Sequence, residues 1–114
     1  MPECLFCKIA RGEIPSDKVY EDGRFLGFRD IQPQAPVHVV VIPKKHIATM
    51  NDAAEADAQI LGDLLLVCRD IAKDENVAEP GYRIVINCNK NAGQSVFHIH
   101  AHVLGGRHMT WPPG

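Results

Sequence analysis

The sequence predicts an α+β fold: a mainly antiparallel five-stranded sheet with one short N-terminal helix and one long helix. Three observations carry this expectation. Five segments read as strands, bounded by Gly, Pro or Asp-Gly signals. One long segment repeats apolar residues at three- and four-residue spacing. The strands also follow one another too closely for a crossover helix between each pair, which disfavours a parallel sheet.

Residues 3–11 can form the short helix, stopped by Gly12 and Pro15. Residues 18–21 and 25–30 read as a hairpin across Asp22-Gly23, a pair that favours a tight turn. Residues 37–42, VHVVVI, are rich in β-branched side chains and closed by Pro43, which predicts a mostly buried strand. Asp52 and Glu55 suggest a loose capping box before the long helix. There Ile60, Leu61, Leu64, Leu65, Cys68, Ile71 and Ala72 form one apolar stripe over about five turns. Residues 82–88 and 98–104 complete the strand set, the last ending at Gly105-Gly106.

At 114 residues the chain fits one domain, 1–114, and a dimer is a natural way to hide more apolar surface. Hydrophobic residues make up 46% and charged residues 23%, the balance of a soluble globular protein. A net charge of −2 argues against a nucleic-acid or anionic-membrane surface, so attraction for a phosphate must be local. The N-terminus lacks a basic segment followed by an apolar run, and the longest apolar stretch, 64–68, is far too short to span a bilayer. The expected compartment is the cytoplasm. Cys68 and Cys88 read as small buried apolar residues.

The segment His98-Ile99-His100-Ala101-His102 carries the most chemistry. On a strand, alternate side chains share a face, so the three imidazoles project to one side, with Ile99, Ala101 and Val103 on the other. Neighbouring imidazoles disfavour one another's protonation, which favours a neutral, nucleophilic ring at pH 7. Such a ring can attack phosphorus, while a neighbour holds a phosphate oxygen or hands a proton to the leaving group. Metal binding by His-x-His and a structural hydrogen-bonded cluster are the alternatives that spacing leaves open. Gly93-Gln94-Ser95-Val96 leads into this segment as a turn whose amides can line phosphate oxygens. Cys4-Leu5-Phe6-Cys7 has the gap of half a zinc site, against redox activity or plain burial, with His46 and His98 as candidates for the other half.

The run from Gln94 to Arg107 resembles the His-φ-His-φ-His-φ-φ signature of the histidine triad family, and is most similar to its Hint branch of purine nucleoside phosphoramidases. Phe28, Asp30-Ile31, Pro33-Gln34-Ala35-Pro36, His38, Ile42-Pro43-Lys44-Lys45-His46, Asn87 and Trp111-Pro112-Pro113-Gly114 match in order, so the resemblance covers nearly the whole chain. It implies the fold of that family, with sheets joined across a homodimer. It implies that His100 attacks the α-phosphorus of a nucleoside phosphoramidate, giving a nucleotidyl-histidine that water resolves to the monophosphate. Aminoacyl-adenylates are related candidate substrates.

By the same resemblance His102 binds the α-phosphate and assists the leaving group, and His38 completes the cluster with His98. Ser95 donates to the phosphate or scissile nitrogen, Asn87 orients phosphate or ribose, and Asp30 accepts from the ribose hydroxyls. Leu5, Phe6, Ile9, Phe28 and Ile31 form the apolar slot for the purine base. Trp111 approaches the partner subunit's site. A structural zinc would sit on Cys4, Cys7, His46 and His98, as in some bacterial members, and His108 is a surface residue. Two rival functions are a non-catalytic nucleotide-binding regulator and a dinucleoside polyphosphate hydrolase of the Fhit type. Gln94-Ser95 and Trp111 favour the phosphoramidase over the latter.

Overall fold

A computed structural model describes residues 4–114. Helix α1 (Leu5–Ala10) is followed by β1 (Lys18–Glu21), β2 (Phe25–Arg29), β3 (Val37–Pro43), α2 (Ala58–Asp74), β4 (Tyr82–Val85) and β5 (Ala101–Gly105). The strands make one antiparallel sheet in the order β1-β2-β3-β5-β4. The predicted fold class holds.

The register explains why the central strands read as unbroken apolar runs. On β3, Val39 and Val41 face α2, while Val40 and Ile42 face α1. Helix α2 lays Leu64, Val67, Cys68, Ile71 and Ala72 over Phe25, Val39, Val41, Ala101 and Val103. Leu64 and Ile71 are fully shielded, and burying such a side chain contributes about 1.5–3 kcal/mol. On the opposite face Phe6 and Ile9 of α1 pack on Leu26, Phe28, Val40 and Ile42. A strand covered on both sides shows no polar alternation.

Several boundaries differ from the sequence expectation. Glu3, the expected start of the first helix, lies outside the described residues, and α1 begins at Leu5. The Asp22-Gly23 hairpin forms with Arg24 in the connection, because the Asp22 carboxylate accepts from the Arg24 and Phe25 amides at 2.7 and 2.8 Å. Strand β2 stops at Arg29, yet the Asp30 amide still donates to His38 O at 3.0 Å. Asp52 does not open the long helix. It closes a capping box with Thr49 on a separate 3₁₀ turn (Met50–Asp52), and α2 starts at Ala58. The buried stripe includes Val67 and leaves Leu65 on the surface with Leu66, following the i, i+3, i+4, i+7 rhythm from Leu64.

The expected strand 98–104 is shorter at its start. Residues 98–100 leave the ladder because Ile99 N donates to Ile47 O at 2.6 Å, in the loop after β3. The expected strand 82–88 ends at Val85, which pairs with His102 near the start of β5; Asn87 and Cys88 run past the start of that neighbour. No helix among the described residues is long and apolar enough to cross a membrane.

Candidate active site

The α1 face of the sheet carries the histidines. His38 and His102 lie on adjacent strands in the Val40↔His102 register, which makes them diagonal neighbours on that face. His100 stands just before β5, its ring centroid 5.0 Å from that of His102. Phe6 meets the His100 ring edge-on at 5.0 Å and Phe28 at 5.6 Å, so one aromatic side chain of α1 braces both.

The hydrogen bonds fix where each ring carries its proton. His100 Nδ1 lies 2.8 Å from His98 O; a carbonyl only accepts, so Nδ1 is protonated and Nε2 holds a lone pair. The Gln34 amide donates to His38 Nδ1 at 3.0 Å, which puts the proton of neutral His38 on Nε2. That proton points to His102 Nδ1 at 2.9 Å, so neutral His102 carries its own proton on Nε2. His98 Nε2 donates to Pro43 O at 2.7 Å, leaving its Nδ1 as a lone pair. Four rings thus have four assigned tautomers, each set by a main-chain group or a neighbouring imidazole.

Burial holds all four rings toward the neutral form. Desolvation lowers the pKa of His38, although nearby Asp30 opposes it, and lowers His98 and His100, where hydrogen bonds to carbonyl oxygens oppose it. His102 is pushed down to about 4 by desolvation and then by His100 and His38. Because the His38 ring is held toward the neutral form, its 3.5 Å contact from Nε2 to Asp30 Oδ2 is not an ion pair.

His100 and His102 face a cavity of about 320 Å³. Its apolar wall comprises Leu5, Phe6, Ile9, Phe28, Ile31 and Val40. Leu5 is 45% exposed and Ile31 is 96% exposed, an unfavourable placement that a ligand could cover. Ser95 and Val96 line the end beside the histidines, and Asp30 lies on the rim, its Oδ1 accepting from the Gln32 amide at 2.8 Å. A larger hollow of about 560 Å³ lies at the end of α2 among Arg69, Asp70, Lys73, Asn76, Ala78 and Glu79, but it gathers no convergent reactive groups.

Some expected residues lie elsewhere. His38 joins His102 and not His98, which is buried behind His100. Gln94 is buried and its amide is spent within the loop: Oε1 accepts from Asn89 N at 2.8 Å, and Nε2 donates to Ala48 O at 2.8 Å and Val96 O at 3.1 Å. It shapes the turn and offers no free donor to a phosphate. Gly93 turns at φ +85°, a conformation that suits glycine. Asn87 and Gly93 are not among the cavity-lining residues, and Trp111 is 81% exposed. His108 is exposed as expected. The sequence reading missed Pro15, Ser16, Asp17 and Arg29, which close one side of the cavity. Pro15, Ser16 and Asp17 sit beside the helix stop and Arg29 ends β2, and nothing local marks any of them as part of a site.

The second cluster gathers Cys4, Cys7, His46 and His98. His46 Nδ1 and His98 Nδ1 are 3.2 Å apart, Cys4 Sγ and His98 Nδ1 3.4 Å, Cys7 Sγ and His46 Nδ1 3.4 Å, and Cys7 Sγ and His98 Nδ1 3.5 Å. A tetrahedral zinc requires about 3.4 Å between nitrogens and about 3.6 Å between sulfur and nitrogen, from its usual bond lengths. The lone pair on His98 Nδ1 points into this group, so the residues fit a metal. Asp30, His38 and His102 are also close enough together. There the fit fails, because the Gln34 amide occupies His38 Nδ1 and leaves Nε2 protonated.

Comparison with known proteins agrees with this arrangement. The HIT domain profile matches residues 11–109. The chain is 50% identical over 105 residues to the purine nucleoside phosphoramidase of Escherichia coli, covering 92% of this chain and 88% of that protein. It is similar to the crystal structure of a HIT family hydrolase from Legionella pneumophila, with a TM-score of 0.97 and 56% identity over 98% of this chain and 100% of that one. A histidine triad protein from Clostridium difficile gives a TM-score of 0.92 and 43% identity, over 96% and 97% of the two chains. With its histidine face, its fold and these relatives in agreement, the chain belongs to the HIT family.

Proposed function

We propose that this HIT-family hydrolase cleaves the P–N bond of purine nucleoside 5′-phosphoramidates through a nucleotidyl intermediate on His100. The observation that carries the reading is the lone pair on His100 Nε2, held by the Nδ1–H bond to His98 O beside a cavity that joins apolar walls to a histidine end. The name of the E. coli relative supports the substrate class.

In this mechanism the base enters the slot of Leu5, Phe6, Ile9, Phe28 and Ile31, and Asp30 accepts from the ribose hydroxyls. His102 Nε2–H holds a non-bridging phosphate oxygen, and Ser95 and the main chain at Val96 assist. The phosphate's negative charge raises the proton affinity of the His38–His102 pair, so a proton enters with the substrate at His102 Nδ1 as His38 Nε2–H turns to Asp30 Oδ2, 3.5 Å away. His100 Nε2 attacks phosphorus, the P–N bond breaks, and the amine departs with the proton from His102. Water then attacks phosphorus, the P–Nε2 bond breaks, and the water's proton returns to His102. The nucleoside monophosphate leaves.

Cys4, Cys7, His46 and His98 would hold a structural zinc, which supplies a rigid anchor for His98 and therefore for the carbonyl that orients His100. We also propose a cytoplasmic homodimer joined through β4, one of the sheet's two edge strands, with the exposed Leu65 and Leu66 of α2 as further apolar surface to cover.

The deciding experiment is turnover of adenosine 5′-phosphoramidate by the wild type and by His100→Ala. The expected result is release of AMP and ammonia by the wild type, loss of at least a thousandfold in the variant, and retained AMP binding. A wild type that binds AMP and hydrolyses nothing would favour a regulatory binder. Undiminished turnover by the variant would remove His100 as nucleophile.

A further inference from the structure

The segment between α1 and β1 forms one wall of the cavity through Pro15, Ser16 and Asp17. The Ser16 hydroxyl oxygen is shielded from solvent and has no hydrogen-bond partner among the described residues. A hydroxyl that gives up water without a replacement destabilises the unliganded protein. Asp17 differs: its carboxylate is exposed and sits 3.7 Å from Arg29 Nε.

The position of Ser16 is set by the main chain. Arg29 N donates to Asp17 O at 2.9 Å, tying this segment to the end of β2, where Asp30 follows. Ser16 is therefore held near the carboxylate assigned to the ribose, on a wall where Pro15 is apolar and the charged groups of Asp17 and Arg29 face one another at 3.7 Å. A heteroaromatic base attached to that ribose would bring ring nitrogens or an exocyclic amine to this wall. Rotation of the serine between staggered rotamers lets the hydroxyl meet them as donor or acceptor.

We propose that Ser16 determines base specificity, by hydrogen-bonding through Oγ to the polar edge of a purine. The proposal rests on the slot being the nucleoside site, and it adds an uncharged hydrogen-bonding selector beside the apolar slot. Hydrogen bonds discriminate more sharply than apolar contacts, because a base without the matching group leaves the hydroxyl unpaired.

The test compares the 5′-phosphoramidates of adenosine and of benzimidazole riboside, which keeps the shape but lacks the amine and the pyrimidine-ring nitrogens. The wild type should prefer adenosine in kcat/KM by about five- to twentyfold, the worth of one neutral hydrogen bond in a buried site. In Ser16→Ala that ratio should fall to about twofold or less, with kcat for benzimidazole riboside unchanged. An unchanged ratio, or an equal loss on both substrates, overturns the proposal. Dissociation constants of the two 5′-monophosphates read the same ratio without chemistry. If the wild type hydrolyses neither phosphoramidate, the enzyme reading fails, while the binding ratio still decides the role of Ser16.

Discussion

At the scale of single residues, the site depends on where protons sit. In the free protein His102 has a pKa of about 4, and burial also depresses His38. A bound phosphate reverses the field at that pair. AMP binding at pH 6–7 should therefore take up close to one proton, and His102→Gln should abolish most of the uptake. Titration calorimetry in buffers of different ionisation enthalpy measures this, and zero uptake by the wild type would contradict protonation of the His38–His102 pair. The same shifts set a pH dependence of stability. Both folded-state values lie below the ordinary histidine value, so the unfolded chain binds more protons as pH falls. Stability should decline from about pH 6.5 toward about pH 4, the value of His102. Urea unfolding across that range should show a slope that a His38→Gln, His102→Gln double variant reduces.

At the scale of elements, the loop before β5 and the contact between β5 and the segment after α2 control how firmly the site is held. Gln94 satisfies three main-chain groups, so Gln94→Ala should cost about 1–3 kcal/mol of stability and lower kcat more than it raises KM. Gly105 is a close approach: a Cβ there would lie 2.8 Å from Val77 Cβ. Gly105→Ala should cost about 1–3 kcal/mol in urea unfolding through overpacking, with the histidine geometry largely kept.

The elements also show what could be read without coordinates. The stripe on α2 and the run VHVVVI announced themselves because burial imposes periodicity on one and apolar continuity on the other. The loss of residues 98–100 from the sheet could not be read, since Ile99 takes its partner from Ile47. Likewise the inward turn of Gln94 depends on Ala48, which is distant in sequence. The reading of His100 and His102 as side by side survived because an extended chain alternates whether or not a ladder pairs it. Ser16 was invisible, because nothing local distinguishes an orphaned hydroxyl from an ordinary loop serine.

At the scale of the whole molecule, the sheet separates two tasks. The face under α2 supplies packing, and the face under α1 carries the Cys/His cluster, the apolar slot and the histidines. Protein prepared without chelator should carry about one zinc per chain, measured by elemental analysis. Its removal should lower the melting temperature and expose Cys4 and Cys7 to thiol reagents. The edge strand β4 suits pairing with a second copy. Light scattering should give twice the chain mass, and a Val85→Pro change at that edge should shift it toward the monomer.

The Gln34 amide holds His38, and it does so without using its own side chain, which donates instead to Gln32 O at 3.0 Å. What position 34 must provide is a peptide hydrogen. Alanine there should be nearly silent, whereas proline, the one residue lacking that atom, would free His38 to flip its tautomer, reverse its hydrogen bond with His102 and leave His102 Nε2 without a proton.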